Sequence, residues 1–263
     1  MIPQAYIIEW ANRVPWQTNE QVEQDLVISR ALVEIFSDEW LANSVVFRGG
    51  TALHKLYLQP QLRYSEDIDL VQVRAEPIKE TVQHLQLALA FLGETSVKPR
   101  KDGVQIICRF DSEFPPSVRL RLKVETNTRE HFTVFGQQHF PFKMQSSWFQ
   151  GSCNLTTYQM EELLGTKLRA LYQRKKGRDL YDLFIALTKK PDLDKKALIH
   201  SYREYMKFSV IKPPTQREFI KNLEEKMEDS EFLGDTIALI RPDMTYPPQE
   251  AFDLVKTELI ECI

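Results

Sequence analysis

Between residues 18 and 36 apolar side chains recur every three or four positions, at Val22, Leu26, Val27, Ala31, Leu32, Ile35 and Phe36. That spacing predicts an amphipathic helix of about five turns packed on a core. Val45, Val46 and Phe47 then predict a short strand running into Gly49-Gly50, and Ala52, Leu53 and Leu56 mark one side of a helix over 51–58. From 64 to 71 the period changes to two, with Ile68 and Leu70 on one face and Asp67 and Asp69 on the other. A helix is predicted over 77–92 and a strand over 103–110.

The clearest alternation in the chain covers 118–125: Val118, Leu120, Leu122 and Val124 are apolar, while Arg119, Arg121, Lys123 and Glu125 form a charged face. Beyond Trp148 the strand pattern fades, and 159–174, 178–188, 194–207, 215–228 and 250–261 carry helical periodicity. The expectation is an α/β (α+β) chain, with strands and helices mixed over 1–155 and helices alone over 156–263. The boundary is marked only by the short polar run Asn154-Leu155-Thr156-Thr157.

Composition narrows the class. Of 263 residues 43% are hydrophobic and 27% charged, which excludes disordered and collagen-like chains. The net charge of −3 provides no global attraction to nucleic acid, so a polyanionic partner would need a local basic patch. Cys108, Cys153 and Cys262 are too scattered for a disulfide framework or a thiolate metal site, and a reducing, cytoplasmic setting is expected. No apolar run is long enough to span a bilayer, so no membrane partner is expected.

Two carboxylates spaced i, i+2 on a strand lie about 7 Å apart and aim the same way. Left without a cation they would repel, so Asp67 and Asp69 suit a hard divalent ion, Mg²⁺ or Mn²⁺, or else form a solvated strand end. The glycines of Gly49-Gly50-Thr51 leave backbone N–H groups open to close approach, as phosphate needs, although a plain tight turn would read the same way. Glu125 is in phase with the polar face of its strand. It suits either a third acid for in-line displacement at phosphorus or an ion pair with Arg119, Arg121 or Lys123.

Taken together, Phe47-Arg48-Gly49-Gly50-Thr51-Ala52-Leu53, Arg63-Tyr64-Ser65-Glu66-Asp67-Ile68-Asp69-Leu70, Lys123-Val124-Glu125 and Arg178-Asp179-Leu180-Tyr181-Asp182-Leu183 resemble the AbiEii/AbiGii-type toxin nucleotidyltransferases of the DNA polymerase β-like superfamily. Val22-Glu23-Gln24-Asp25-Leu26-Val27 extends the likeness, which covers about residues 20–190. Sixteen residues separate Gly50 from Asp67, a longer gap than the wider superfamily has and one closer to the toxin branch.

The resemblance implies a nucleotidyltransferase fold, a mixed sheet flanked by helices and followed by a mainly helical half that completes the cleft. It places Gly49, Gly50, Thr51 and Ser65 near the nucleotide phosphates, Asp67, Asp69 and Glu125 on Mg²⁺, Lys167 on the triphosphate, and Asp179 and Asp182 at the cleft. It further implies an NTP substrate, a tRNA 3′ end or other RNA as acceptor, and a cognate antitoxin. Transfer to a protein or small molecule, or a catalytically silent RNA- or protein-binding member, are the alternatives.

Residues 165–178 hold Lys167, Arg169, Arg174, Lys175, Lys176 and Arg178 and no acid. Arg174, Lys175, Lys176 and Arg178 therefore suit an RNA phosphate backbone, or else the dipole of their own helix end. Asp179 and Asp182 also suit the capping of the next helix. Lys55 and Arg63 flank the glycine and aspartate motifs and are expected to be exposed.

Overall fold

The computed structural model describes residues 2–241 and 243–263. The chain forms two compact units. One runs to Thr133 and resumes over Gln137–Tyr158, and the other holds Val134–Gly136 and Gln159–Ile263.

The first unit is built on a seven-stranded mixed sheet of β1 (Val45–Arg48), β2 (Asp67–Gln72), β3 (Thr95–Arg100), β4 (Gly103–Asp111), β5 (Arg119–Asn127), β6 (Gln137–Gln145) and β7 (Gln150–Tyr158). The strand order is β3-β4-β5-β2-β1-β7-β6. β2 runs parallel to β5 and β1 parallel to β7, while the other neighbours are antiparallel. Helices of the same unit are α1 (Gln4–Ala11), α2 (Asn19–Ser37), α3 (Glu39–Ser44), α4 (Gly49–Ala52) and α5 (Lys79–Ala88).

Three strands differ from the sequence reading. β3 and β6 were not marked by periodicity. β7 contains the polar run 154–157, so those residues lie inside a strand, and the units change at Tyr158–Gln159. Polar side chains are tolerated there because they are bonded: the Thr157 hydroxyl donates to the Phe47 carbonyl at 2.7 Å. The expected helix over 51–58 begins earlier, at Gly49, and widens over Leu53–Tyr57 into a π-helical turn, with the Leu58 N–H on the Leu53 carbonyl at 3.0 Å.

α2 follows its pattern closely. The Thr18 side chain caps it by accepting the Gln21 N–H, and Val22, Leu26, Val27, Ala31, Leu32, Ile35 and Phe36 are all buried. The helix also buries acids. The Asp25 carboxylate accepts from the Trp10 indole at 3.0 Å, the Trp16 indole at 3.1 Å and the Lys55 ammonium at 2.9 Å. Burial alone would raise its pKa, but these donors, Lys55 foremost, outweigh it and hold the group below the usual carboxylate range.

Glu23 lacks such support. One carboxylate oxygen accepts the Glu113 N–H at 3.1 Å, the other has no partner, and burial pushes the group up to about 7. A raised carboxyl pKa means the folded state binds a proton more readily than the unfolded chain, so stability is lost as pH rises from about 4.5 through 7. Glu23→Gln is therefore expected to be the more stable protein above pH 7, by about 2–3 kcal/mol. The gap should close below pH 4.5, read as melting temperature against pH.

The second unit contains α6 (Met160–Gln173), α7 (Gly177–Lys189), α8 (Lys195–Ser209), α9 (Gln216–Met227), α10 (Ser230–Gly234) and α11 (Pro248–Glu258). The five expected helices are present, and α10 is additional. Val134–Gly136 belong here because the buried Glu162 carboxylate accepts the N–H groups of Val134 and Phe135, each at 3.0 Å, and the Tyr205 hydroxyl at 2.8 Å. Among the described residues no helix is long and apolar enough to cross a membrane.

Candidate functional site

β2 lies between β1 and β5, and its register decides which side chains meet. Asp69 pairs with Arg48 on one side and Glu125 on the other, and Asp67 pairs with Lys123. Register partners share a sheet face. Asp67, Asp69 and Glu125 thus stand on one face of adjacent strands, while Ile68 and Leu70 go to the core, as the period-two pattern predicts.

The glycine turn sits against this face. Gly49 has φ +80°, and a Cβ there would lie 2.0 Å from Asp69 Oδ2. Gly50 approaches the Arg63 guanidinium so closely that its own Cβ would fall 2.4 Å from Nη2. Thr51, fully buried, hydrogen-bonds the Ser65 hydroxyl at 2.8 Å and the Asp67 carbonyl. The two glycines, Thr51, Ser65, Asp67 and Asp69 are therefore one packed assembly. Gly49→Ala is expected to cost about 1–2 kcal/mol in backbone strain and, beyond that, to displace the Asp69 carboxylate. Its activity loss should exceed what its melting temperature explains.

Carboxylates this close call for a cation, and the chain supplies one. The Lys123 ammonium lies 3.0 and 3.2 Å from the two oxygens of Asp67. Glu125 accepts a hydrogen bond from the Gln105 amide. Among the described residues no three acids, histidines or cysteines converge as a metal cage. The donor set nevertheless fits Mg²⁺, which is usually held by one or two carboxylates plus substrate phosphates rather than by an all-protein cage. Asp67 and Asp69 provide that pair.

Arg63 and Lys55, expected at the surface, are buried instead. Arg63 supports Gly50, and Lys55 neutralises Asp25. The clue to the latter was an acid set between Val22 and Leu26, within the apolar stripe of α2.

In the second unit Lys167, on α6, and Arg174, extended just past its end, both reach Asp179. Lys167 Nζ lies 3.1 Å from Asp179 and 3.0 Å from Asp182, and Arg174 grips Asp179 with two bonds of 2.7 and 2.8 Å. Both aspartates are fully buried. Burial works to raise the Asp179 pKa, but Lys167 and then Arg174 outweigh it and hold the carboxyl low. Lys226, which carried no motif, closes the end of α6 by donating to the carbonyls of Leu171 and Tyr172, and burial brings its pKa down to about 8.

The basic run 174–178 is less open than its composition suggests. Arg174 is engaged by Asp179, Lys175 pairs with Asp229 and Glu231, and Lys176 and Arg178 pair with Asp235. Asp229, Glu231 and Asp235 lie more than fifty residues downstream, on and beside α10. Gly177 admits that segment, since a Cβ there would fall 2.1 Å from the Phe232 carbonyl.

A model of the nucleotidyl transferase AbiEii toxin family, part of a type IV toxin–antitoxin system, matches residues 30–257. Among solved structures, an H. pylori protein described as a nucleotidyltransferase superposes with a TM-score of 0.59 at 17% identity, over 94% of this chain and 99% of its own. The nucleotidyltransferase toxin MenT4 from Mycobacterium tuberculosis H37Rv superposes with a TM-score of 0.60 at 16% identity, over 100% and 91%. At these identities the structures speak for the fold. No curated relative matches the chain in sequence.

Proposed function

The chain belongs to the nucleotidyl transferase AbiEii toxin family, and on that premise we propose that it moves a nucleoside monophosphate from an NTP to a hydroxyl of RNA, the tRNA 3′ end foremost, in a Mg²⁺-dependent reaction. The observation that carries the metal-dependent chemistry is the seating of Asp69 on Gly49, with Asp67 two residues before it and Glu125 opposite it in register.

The hydroxyl oxygen attacks the α-phosphorus, the bond to the bridging oxygen of pyrophosphate breaks, and the hydroxyl proton passes to a carboxylate, for which Glu125 is our candidate. Asp67 and Asp69 would hold Mg²⁺, or Mn²⁺ in its place, which would neutralise the charge that develops on the phosphoryl oxygens. Gly49, Gly50, Thr51 and Ser65 approach the nucleotide phosphates, the glycines because they lack a Cβ. Lys167 is assigned to the triphosphate, giving up part of its bonding to Asp182 when it binds, and Asp179 orients Lys167. As a toxin it would act in the cytoplasm and be held in check by an antitoxin.

The test is incubation with each α-labelled NTP, bulk tRNA and Mg²⁺. Label in tRNA, lost on adding a chelator and restored by Mg²⁺, is expected. Label in protein or in a small acceptor would redirect the acceptor assignment, and no transfer with any NTP would leave a silent binding module.

A further inference from the structure

β3, β4 and β5 carry charge on the same face as the acids. Register partnership runs in one unbroken row across five strands: Lys98, Gln105, Glu125, Asp69 and Arg48. In the next rows Arg109 pairs with Arg121, and Arg100 closes the β3–β4 hairpin beside Lys101. Lys98, Arg100, Lys101, Arg109 and Arg121 are exposed, whereas the opposite face, with Ile106, Cys108, Leu122 and Val124, is core.

Among the described residues these five cations have no acid partner. Arg109 reaches Ser96 at 3.1 Å and Arg100 reaches the Gln105 amide oxygen, whose amide nitrogen in turn holds Glu125. A cavity of about 360 Å³ joins Asp69 and Glu125 to Arg48 and to the hairpin residues Arg100 and Lys101. The second unit's basic run, by contrast, is already matched by Asp229, Glu231 and Asp235.

We propose that this open face of β3–β4–β5 is the surface that holds the acceptor RNA, with its phosphate backbone on Arg109, Arg121, Lys98 and Arg100 and its terminal ribose hydroxyl in the cavity at Asp69 and Glu125. This rests on the nucleotidyl-transfer reading above. The face suits phosphate rather than protein. It offers well-spaced cations, alternate residues of one strand being about 6.8 Å apart, and no exposed aromatic or aliphatic anchor of the kind protein interfaces are built around. From Lys98 the row passes Gln105 to Glu125 and Asp69, so a nucleic-acid strand lying along it is led to the reacting centre.

The test is the salt dependence of bulk tRNA binding by Arg109→Gln/Arg121→Gln, both exposed positions, against wild type and against Lys189→Gln/Lys190→Gln, which removes equal charge elsewhere. The strand variant is expected to flatten the log–log slope by about 1.4 for single-stranded contacts, or about 1.8 for duplex ones. Its KM for tRNA should rise while its KM for NTP holds. An unchanged slope, or an equal loss in the Lys189/Lys190 variant, overturns the assignment. So does a loss seen instead in Lys175→Ala/Lys176→Ala. If wild type labels tRNA but the strand variant keeps its slope, this surface alone is wrong. If wild type neither binds nor labels RNA, the acceptor reading falls with it.

Discussion

Asp67→Asn and Asp69→Asn are each expected to lower nucleotide transfer roughly 10³-fold, because each removes several kcal/mol of charge stabilisation at the reacting phosphorus and 1.36 kcal/mol is tenfold in rate. The two should differ in stability. Adjacent carboxylates considered alone suggest that removing either relieves repulsion. Asp67, however, is partnered by Lys123, so Asp67→Asn forfeits an ion pair at the half-buried strand surface, worth up to about 1 kcal/mol. Asn at 69 retains the shape that fits Gly49. Single-turnover transfer and a thermal melt on each variant separate the effects, and near wild-type transfer in either would remove that residue from the reaction.

Asp179→Asn is expected to give the largest stability loss. The carboxylate is fully buried and takes the charge of both Lys167 and Arg174, so its neutralisation strands Lys167 on Asp182 alone and should cost about 3–5 kcal/mol. In a unit of this size that is a drop on the order of 10 °C or more in melting temperature. The pH dependence has a definite sign. A carboxyl held low in the folded state contributes stability above its unfolded pKa and loses it as pH falls through the folded value, so variant and wild type should converge in acid. If Asp179→Asn melts with wild type, the cluster is not what holds α6 to α7.

What the sequence determined by itself was local. The α2 stripe, the alternations of β2 and β5 and the helices of the second unit follow from the periods of 3.6 and 2, because which face of an element is buried is written in consecutive residues. The same holds for Asp67 and Asp69, whose common direction needs only the pleat. Tertiary structure decided the pairings. That Lys123 rather than empty space faces Asp67, that Glu125 stands beside Asp69, and that Asp25 meets Lys55 thirty residues on are matters of strand order and register, to which the two-residue period is blind. β7 escaped notice because its polar residues find bonds only once β1 lies beside them. The basic run 174–178 could be counted but not read as a surface, since the acids that match it arrive from α10, and the charge of a patch is fixed by what folds against it.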